Sequence, residues 1–298
     1  MAKDLRDSAT EAREAKFIKD LTQGYNDARK GIKKELNKAY DKYSVDGKLT
    51  MADMAKYDRL GALNKKVDAE LTALNRGTAS MHKGYLTDVF EDNYYMTGYF
   101  LESETAKDIS YSLLNRQAIY ESVLTPMDKI ALSDNAVSVR AGIKRSITSD
   151  LIQGKGIREM SQGITNALEK NANNAARIAR TETTGVMNKA RLDSMGFAET
   201  KGFRIDKKWI TGGDDRVRDS HACLDGDTVK LNEPFTECLI NPMMYPGDQS
   251  GSAEDVINCR CSNVEVVTKV NEKRQTVKVY GNKNAKGYAE WTQERLKK

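Results

Sequence analysis

ARIARTETTGVMNKARLDSMGFAETKGFRIDKKWITGGDD, residues 176–215, opens as a helix and closes as a strand and a turn. Residues 174–195 read as helix, and Gly196 is placed to cap its C-terminal end, because glycine enters the left-handed conformation without a Cβ clash. Near Gly202 the composition shifts toward β-branched and turn residues. Phe203–Ile210 alternates apolar with polar positions, the period of a half-buried strand. Gly212-Gly213-Asp214-Asp215 is a loop. A helical lead-in feeding a small sheet is an α+β arrangement.

Upstream of this stretch, 137–153 and 157–168 read as shorter helices with Gly154 as a cap between them, and Ser161-Gln162-Gly163 weakens the second. Thr125-Pro126 breaks a longer helical half. Residues 1–125 contain no proline, so nothing there forbids long helices. Phe17, Leu21, Tyr25, Ala28, Ile32, Leu36, Ala39 and Tyr43 recur every three or four positions, one face of a helix. Asp46-Gly47 ends that run as a turn. A second run starts near Thr50 with Met54, Tyr57, Leu60, Leu63, Val67, Leu71 and Leu74. It meets a candidate interruption at Asn75-Arg76-Gly77 and resumes through Met81, Tyr85, Val89, Tyr95 and Tyr99. These stripes are narrow, so each helix needs a cover. They predict an extended helical region bundled with other copies or docked on a larger assembly.

Downstream, Leu224-Asp225-Gly226-Asp227 is a tight turn, 228–231 a short strand, and 242–252 a long irregular loop. Residues 264–270 and 276–280 predict a closing hairpin. The expected fold is α+β: an extended helical N-terminal half (1–125), a small mixed α+β domain with a short antiparallel sheet (126–267), and a basic tail (268–298).

A chain of 298 residues allows one large domain or two ordinary ones. Hydrophobic residues make up 39% and charged residues 31%, with a mean hydropathy of −0.65, a balance that suits long solvated helices better than a compact enzyme barrel. The net charge of +5 is uneven. Residues 268–298 carry nine basic side chains (Lys269, Lys273, Arg274, Lys278, Lys283, Lys286, Arg295, Lys297 and Lys298) against three Glu, a net +6 on a body of −1. Such a tail is either a solvated terminus or a contact for an anionic partner such as nucleic acid. Only Tyr280, Tyr288 and Trp291 could add base stacking.

The N-terminus is charged throughout and has no apolar signal-peptide core. The longest stretch free of Asp, Glu, Lys and Arg runs from Cys238 to Gly247, far short of the roughly 20 apolar residues of a membrane span. A cytosolic protein is the expectation, with its 4 cysteines reduced unless they hold metal.

Three motifs carry potential chemistry. Arg177-Ile178-Ala179-Arg180-Thr181-Glu182 lies on the predicted helix. Its charges form either a surface ion pair, which the spacing favours, or an inward tie to the loops that follow. Asp214-Asp215-Arg216-Val217-Arg218-Asp219-Ser220-His221 crowds Asp and Arg into a loop, as a buried network or an active site would. Its lone histidine is more often a hydrogen-bonded structural residue than a catalyst. The third motif is the pair His221-x-Cys223 and Cys259-x-Cys261. Residues two apart on an extended segment share a face. Two such segments side by side would offer His221, Cys223, Cys259 and Cys261 to one point, the tetrahedral ligand set of structural Zn²⁺. The alternative is a packed, metal-free cysteine cluster, with Cys238 as the leftover thiol.

Taken in order, ARIARTETTGVMNKARLDSMGF, then W-x₄-DDRVRDSH-x₂-LDG, a Phe, YPGD and INCRC, the segment from about Ile143 to Val267 resembles the Mu F-like head-morphogenesis domain of tailed bacteriophages. The resemblance implies that Arg180, Thr181 and Glu182, Asp215, Arg218, His221 and Gly226, and Asn258 with Cys259 and Cys261 belong to one small structural domain without a catalytic residue. It also implies a minor capsid protein that acts in procapsid assembly near the portal. Its partners would be portal, major capsid or scaffolding protein, with packaged double-stranded DNA as a contact, and no membrane. The chain would sit in the virion interior after a period in the host cytoplasm, and it could leave with the DNA.

Two enzymatic readings compete. A metal-assisted nuclease could use the His, Asp, Asn and Cys groups, but the segment lacks a second histidine. An ADP-ribosyl-transferring toxin has only the Arg180–Glu182 pair in its favour, and no toxin domain fits in the roughly 30 residues after Val267.

Overall fold

The computed structural model describes residues 4–121, 125–270 and 285–296, with only the backbone given for 125–133. The element order is α1 (Leu5–Tyr43), α2 (Met51–Ala55), α3 (Arg59–Thr105), α4 (Arg116–Ile119), α5 (Thr125–Ile152), α6 (Ile157–Thr200), β1 (Phe203–Ile210), α7 (Asp219–Cys223), β2 (Thr228–Lys230), α8 (Ala253–Val256), β3 (Ser262–Val270) and α9 (Ala285–Arg295). The chain is α+β, with a long helical N-terminal region and a small antiparallel sheet. Its two compact units are not contiguous in sequence. One comprises 1–15, 84–125 and 179–298, and the other 16–83 and 126–178.

The 16–83/126–178 unit is a helical bundle. The stripe read on α1 is buried, with Leu21 and Leu36 1% exposed and Ile32 fully buried. Val67 and Leu71 of α3, Ile143 and Leu151 of α5, and Met160 and Ile164 of α6 are buried with it. Polar contacts fix the order of the bundle. Asn135 of α5 donates to the Tyr25 hydroxyl at 2.9 Å and accepts from Asn174 at 2.8 Å. Lys144 reaches Asp68 at 2.8 Å. The Tyr40 hydroxyl donates to the Lys155 carbonyl at 2.5 Å. Most of the two narrow stripes is thus covered within this chain, with Tyr57 and Met81 as exposed exceptions.

The breaks expected in the helices do not occur at three places. Asn75-Arg76-Gly77 lies inside α3. The two pieces expected at 157–168 and 174–195 are one helix, α6, of 44 residues. Asn171 turns its amide back onto the Ala167 carbonyl at 2.7 Å, within the helix. Gly163, which weakens the sequence pattern, admits α5 closely: a Cβ there would meet the Ser146 hydroxyl at 2.6 Å. Nor does α6 end at Gly196. Met195 and Ala198 are fully buried and carry the last turn onward, and Gly202 (φ +91°) is the residue that leaves the helix.

The sheet order is β2-β1-β3, all antiparallel. In β1 the side chains of Phe203, Ile205, Lys207 and Trp209 all point inward. Trp209 pairs with Asn263 across β3. Its backbone also bonds the 224–227 turn, donating to the Asp227 carbonyl and accepting from Gly226 N–H, both at 2.9 Å. Residues 276–280, the expected second strand of the closing hairpin, lie outside the described residues.

Candidate functional site

The motifs from Arg180 to Cys261 converge on one end of the 1–15/84–125/179–298 unit. The second half of α6 presents Thr181, Thr184, Asn188 and Arg191 at helical spacing, so they form one polar face. That face reads the backbone of the Asn-Cys-Arg-Cys segment almost residue by residue. Asn258 N–H donates to the Thr181 hydroxyl at 3.1 Å. The Thr184 hydroxyl donates to the Cys259 carbonyl at 2.6 Å. The Asn188 amide donates to the carbonyls of Pro246 at 2.9 Å and Cys261 at 3.0 Å, and its oxygen accepts from Asn263 N–H at 2.8 Å. Arg191, fully buried, reaches the Asn263 carbonyl at 3.4 Å, Asn93 at 3.0 Å and Asp7 at 2.7 Å. An irregular segment cannot satisfy its own backbone when buried, and the helix does so for it.

The Tyr-Pro-Gly-Asp motif belongs to the same contact. Gly247 has φ +80°, and a Cβ there would stand 2.9 Å from the Gly185 nitrogen. Only glycine lets this loop approach α6 so closely.

The Asp/Arg loop ties to the other side of the segment. Asp214 accepts both guanidinium arms of Arg260 at 2.6 Å, and this pairing, helped by Arg216, holds its carboxyl well below the usual range. Asp215, the second acid of the motif, is exposed, and it is Asp214 that makes this pair. Arg218 donates to the Ile257 carbonyl. Arg180 stays at the surface, 48% exposed and 3.7 Å from Glu14, whereas Glu182 is buried. Gly226 takes φ +88° in its turn and Asn258 takes φ +56°.

His221 is 1% exposed, and its Nδ1 lies 3.4 Å from Cys261 Sγ and 3.8 Å from Cys259 Sγ. The ligand atoms of these three residues all lie within 4.8 Å of one another. Trp209 packs edge-on against the imidazole at 5.4 Å, and Leu224, Phe235, Met243 and Val256 complete the small core. The Cys259 thiol is pulled below its usual range by the neighbouring Cys261 side chain and by His221 beside it. Cys261 keeps its proton more tightly, because it faces Cys259 and is buried.

Cys223 is not part of the cluster. It forms a disulfide with Cys238, which corrects both the four-residue ligand set and the expectation of free thiols. The reason is local geometry. Cys259-x-Cys261 is extended, so both sulfurs share a face. His221-x-Cys223 is instead part of α7, and residues two apart on a helix diverge by about 200°.

Sequence reasoning missed Asp255, which is 2% exposed. Its Oδ1 lies 3.8 Å from His221 Nε2, and it accepts from Ser220 at 3.2 Å, Ser252 at 2.9 Å and Ile240 N–H at 3.3 Å. It also missed Asn188 and Arg191. Their spacing with Thr181 and Thr184, a polar stripe on an otherwise apolar helix face, was the available signal.

Of the basic tail, Lys269 and Lys286 are exposed. Lys273, Arg274, Lys278, Lys283, Lys297 and Lys298 lie outside the described residues. Arg295 drops from the nucleic-acid set, because it is engaged with Glu102 at 3.1 Å and Asp108 at 2.7 Å. Trp291 is fully buried among Tyr95, Tyr99 and Tyr111, so it stacks inside this chain rather than on a base.

Residues 141–264 match the family described as Phage Mu protein F like protein. The chain is 27% identical to the minor head protein GP7 of Bacillus phage SPP1 over 253 residues, covering 84% of this chain and 82% of that protein. It is 28% identical over 257 residues to the NAD(+)--arginine ADP-ribosyltransferase EFV of Enterococcus faecalis, covering 84% of this chain but about half (52%) of that protein. No solved structure matches. The matched segment starts in α5 and ends in β3, so the likeness to the Mu protein F-like family takes in every residue of the α6 polar face, the Asp/Arg loop and the His–Cys cluster.

Proposed function

We propose that this chain is a minor head protein of a tailed bacteriophage. It would be synthesised in the host cytoplasm, built into the procapsid, and seated inside the head near the portal. The observation that carries the reading is the extent of the likeness to a minor head protein, which takes in 84% of this chain and 82% of the relative. It therefore includes the helical region as well as the motif-bearing end. The site supports a structural role. The polar face of α6 and the Asp214–Arg260 pair direct their hydrogen bonds to the chain's own backbone and side chains.

Portal, major capsid or scaffolding protein is the proposed docking partner, and packaged DNA the proposed contact of the basic C-terminal residues, with Lys269 and Lys286 exposed for it. Among the described residues no helix is long and apolar enough to cross a membrane. A nuclease has less support. His221, Cys259 and Cys261 are 1–2% exposed, and a phosphodiester could not reach them without opening the core. We assign no transferase activity, because the relative that bears that name is about twice the length of the shared region.

Mass spectrometry of purified procapsids, mature particles and emptied ghosts tests the proposal. The chain should be present in the first two and depleted in ghosts if it leaves with the DNA. Its absence from both procapsids and mature particles would overturn the assignment.

A further inference from the structure

We propose that His221 Nδ1, Cys259 Sγ and Cys261 Sγ hold a structural zinc ion, with Asp255 orienting the histidine from behind. This inference is independent of the particle assignment and rests on four observations.

The first is distance. Zinc bonds of about 2.3 Å to sulfur and about 2.0 Å to nitrogen, set at the tetrahedral angle, separate the two ligand atoms by roughly 3.6 Å. The Nδ1–Sγ separations of 3.4 and 3.8 Å bracket that value. The second is the state of the imidazole. His221 Nε2 is buried with no hydrogen-bond partner among the described residues, and Asp255 Oδ1 stands 3.8 Å away. A metal on Nδ1 would place the ring proton on Nε2, facing that carboxylate. This is the usual arrangement behind a metal-bound histidine, and Ser220, Ser252 and Ile240 hold the carboxylate in place.

The third is the setting of the sulfurs. Cys261 N–H points at Cys259 Sγ at 3.5 Å. Backbone donors of this kind stabilise thiolate ligands. The fourth is selectivity, since two thiolates with an imidazole suit zinc and not a hard cation. Three protein ligands leave one coordination position for water. Because all three are only 1–2% exposed, the ion would act structurally, fixing the 255–261 segment to α7.

The test uses the full chain, purified without chelators from zinc-supplemented medium, and a parallel preparation loaded with cobalt(II). Elemental analysis should find about one equivalent of zinc, and cobalt should give the thiolate charge-transfer and intense visible bands of a tetrahedral site. Cys259→Ser and Cys261→Ser should each lose the metal. The double variant Cys223→Ser/Cys238→Ser should retain it, because those residues form the disulfide. Asp255→Asn should keep the cobalt spectrum while weakening zinc affinity roughly 10- to 100-fold. Less than about a tenth of an equivalent of zinc in the unaltered chain, or cobalt bands without a thiolate component, would overturn the proposal. So would full metal retention in Cys259→Ser. The measurements on the unaltered chain decide the matter even if a variant fails to fold.

Discussion

In the 16–83/126–178 unit the helices are held by apolar stripes: Leu21, Ile32, Val67, Leu71, Ile143 and Ile164 are each 1% exposed or less. Between residues 203 and 263 the apolar core is small, centred on Trp209, Phe235 and Met243. There, long irregular segments are held by side chains bonded to backbone. The bundle tolerates variation in any one polar residue, since burial is shared among many contacts. The motif-bearing end depends on a few groups that each satisfy several others. Its sequence is therefore readable as motifs, whereas the bundle is readable only as a period.

The sharpest way to break this comparison is Asn188→Ala. It would leave the Pro246 and Cys261 carbonyls and the Asn263 N–H buried without the amide that now bonds them. At about 1–3 kcal/mol for each stranded group, the expected loss is roughly 4 kcal/mol. Both tryptophans, Trp209 and Trp291, lie outside the bundle unit, so their fluorescence reports the motif-bearing unit alone. In this variant the fluorescence transition should precede the loss of helix seen by far-UV circular dichroism. Coincident transitions would mean that the two regions unfold as one.

Leu71→Ala is the converse. Leu71 is fully buried in the bundle, and its truncation should cost about 3 kcal/mol. Amide exchange should accelerate first in 16–83 and 126–178, with tryptophan fluorescence following. If fluorescence moves first, the stripe is not what holds the bundle.

How much of this was legible follows the same divide. The α1 stripe, the Asp46-Gly47 turn, β1 and the 224–227 turn are local signals, and they stand where the sequence placed them. The failures were non-local. Gly163 reads as a weakness until α5 is seen against it, and Asn171–Asn174 reads as a gap while the amide partners are unknown. At the site, His221, Cys259 and Cys261 are found from residue type. Cys223 is misassigned when an extended segment is assumed where α7 forms. Asp255 could not be found, because nothing local distinguishes it from other acids near a helix start.

Lys207 sharpens the comparison from a different side. It occupies an inward position of β1, is fully buried, and donates to the Leu231 carbonyl at 3.0 Å beneath the Phe235 ring. Burial pulls it down to about 8, against about 10.4 in an unfolded chain. Because the folded state binds its proton less readily, stability should rise with pH between those two values. Lys207→Met should therefore be favoured relative to the parent below pH 8, and that advantage should close as pH rises toward about 10.4. Parallel pH–stability curves for the two proteins would show that the amine is already solvated.

The smallest effect is expected at Arg260, and it separates geometry from stability. Its pairing with Asp214 is bidentate and short, but the side chains are 40% and 33% exposed. Pairs at such exposure contribute little, because solvent screens the attraction and ordering two side chains offsets it. Arg260→Ala should change the melting temperature only slightly, and the difference should shrink further in about 0.5 M salt, where the screening length falls below 5 Å. What the pair does supply is direction. The planar fork fixes Arg260, the residue between Cys259 and Cys261, against the loop that leads to His221. Lysine, with a single point charge, cannot reproduce that hold. Arg260→Lys should thus match the parent in melting temperature yet show faster amide exchange at 259–261. Equal exchange in both proteins would mean that the α6 face alone sets the position of the segment.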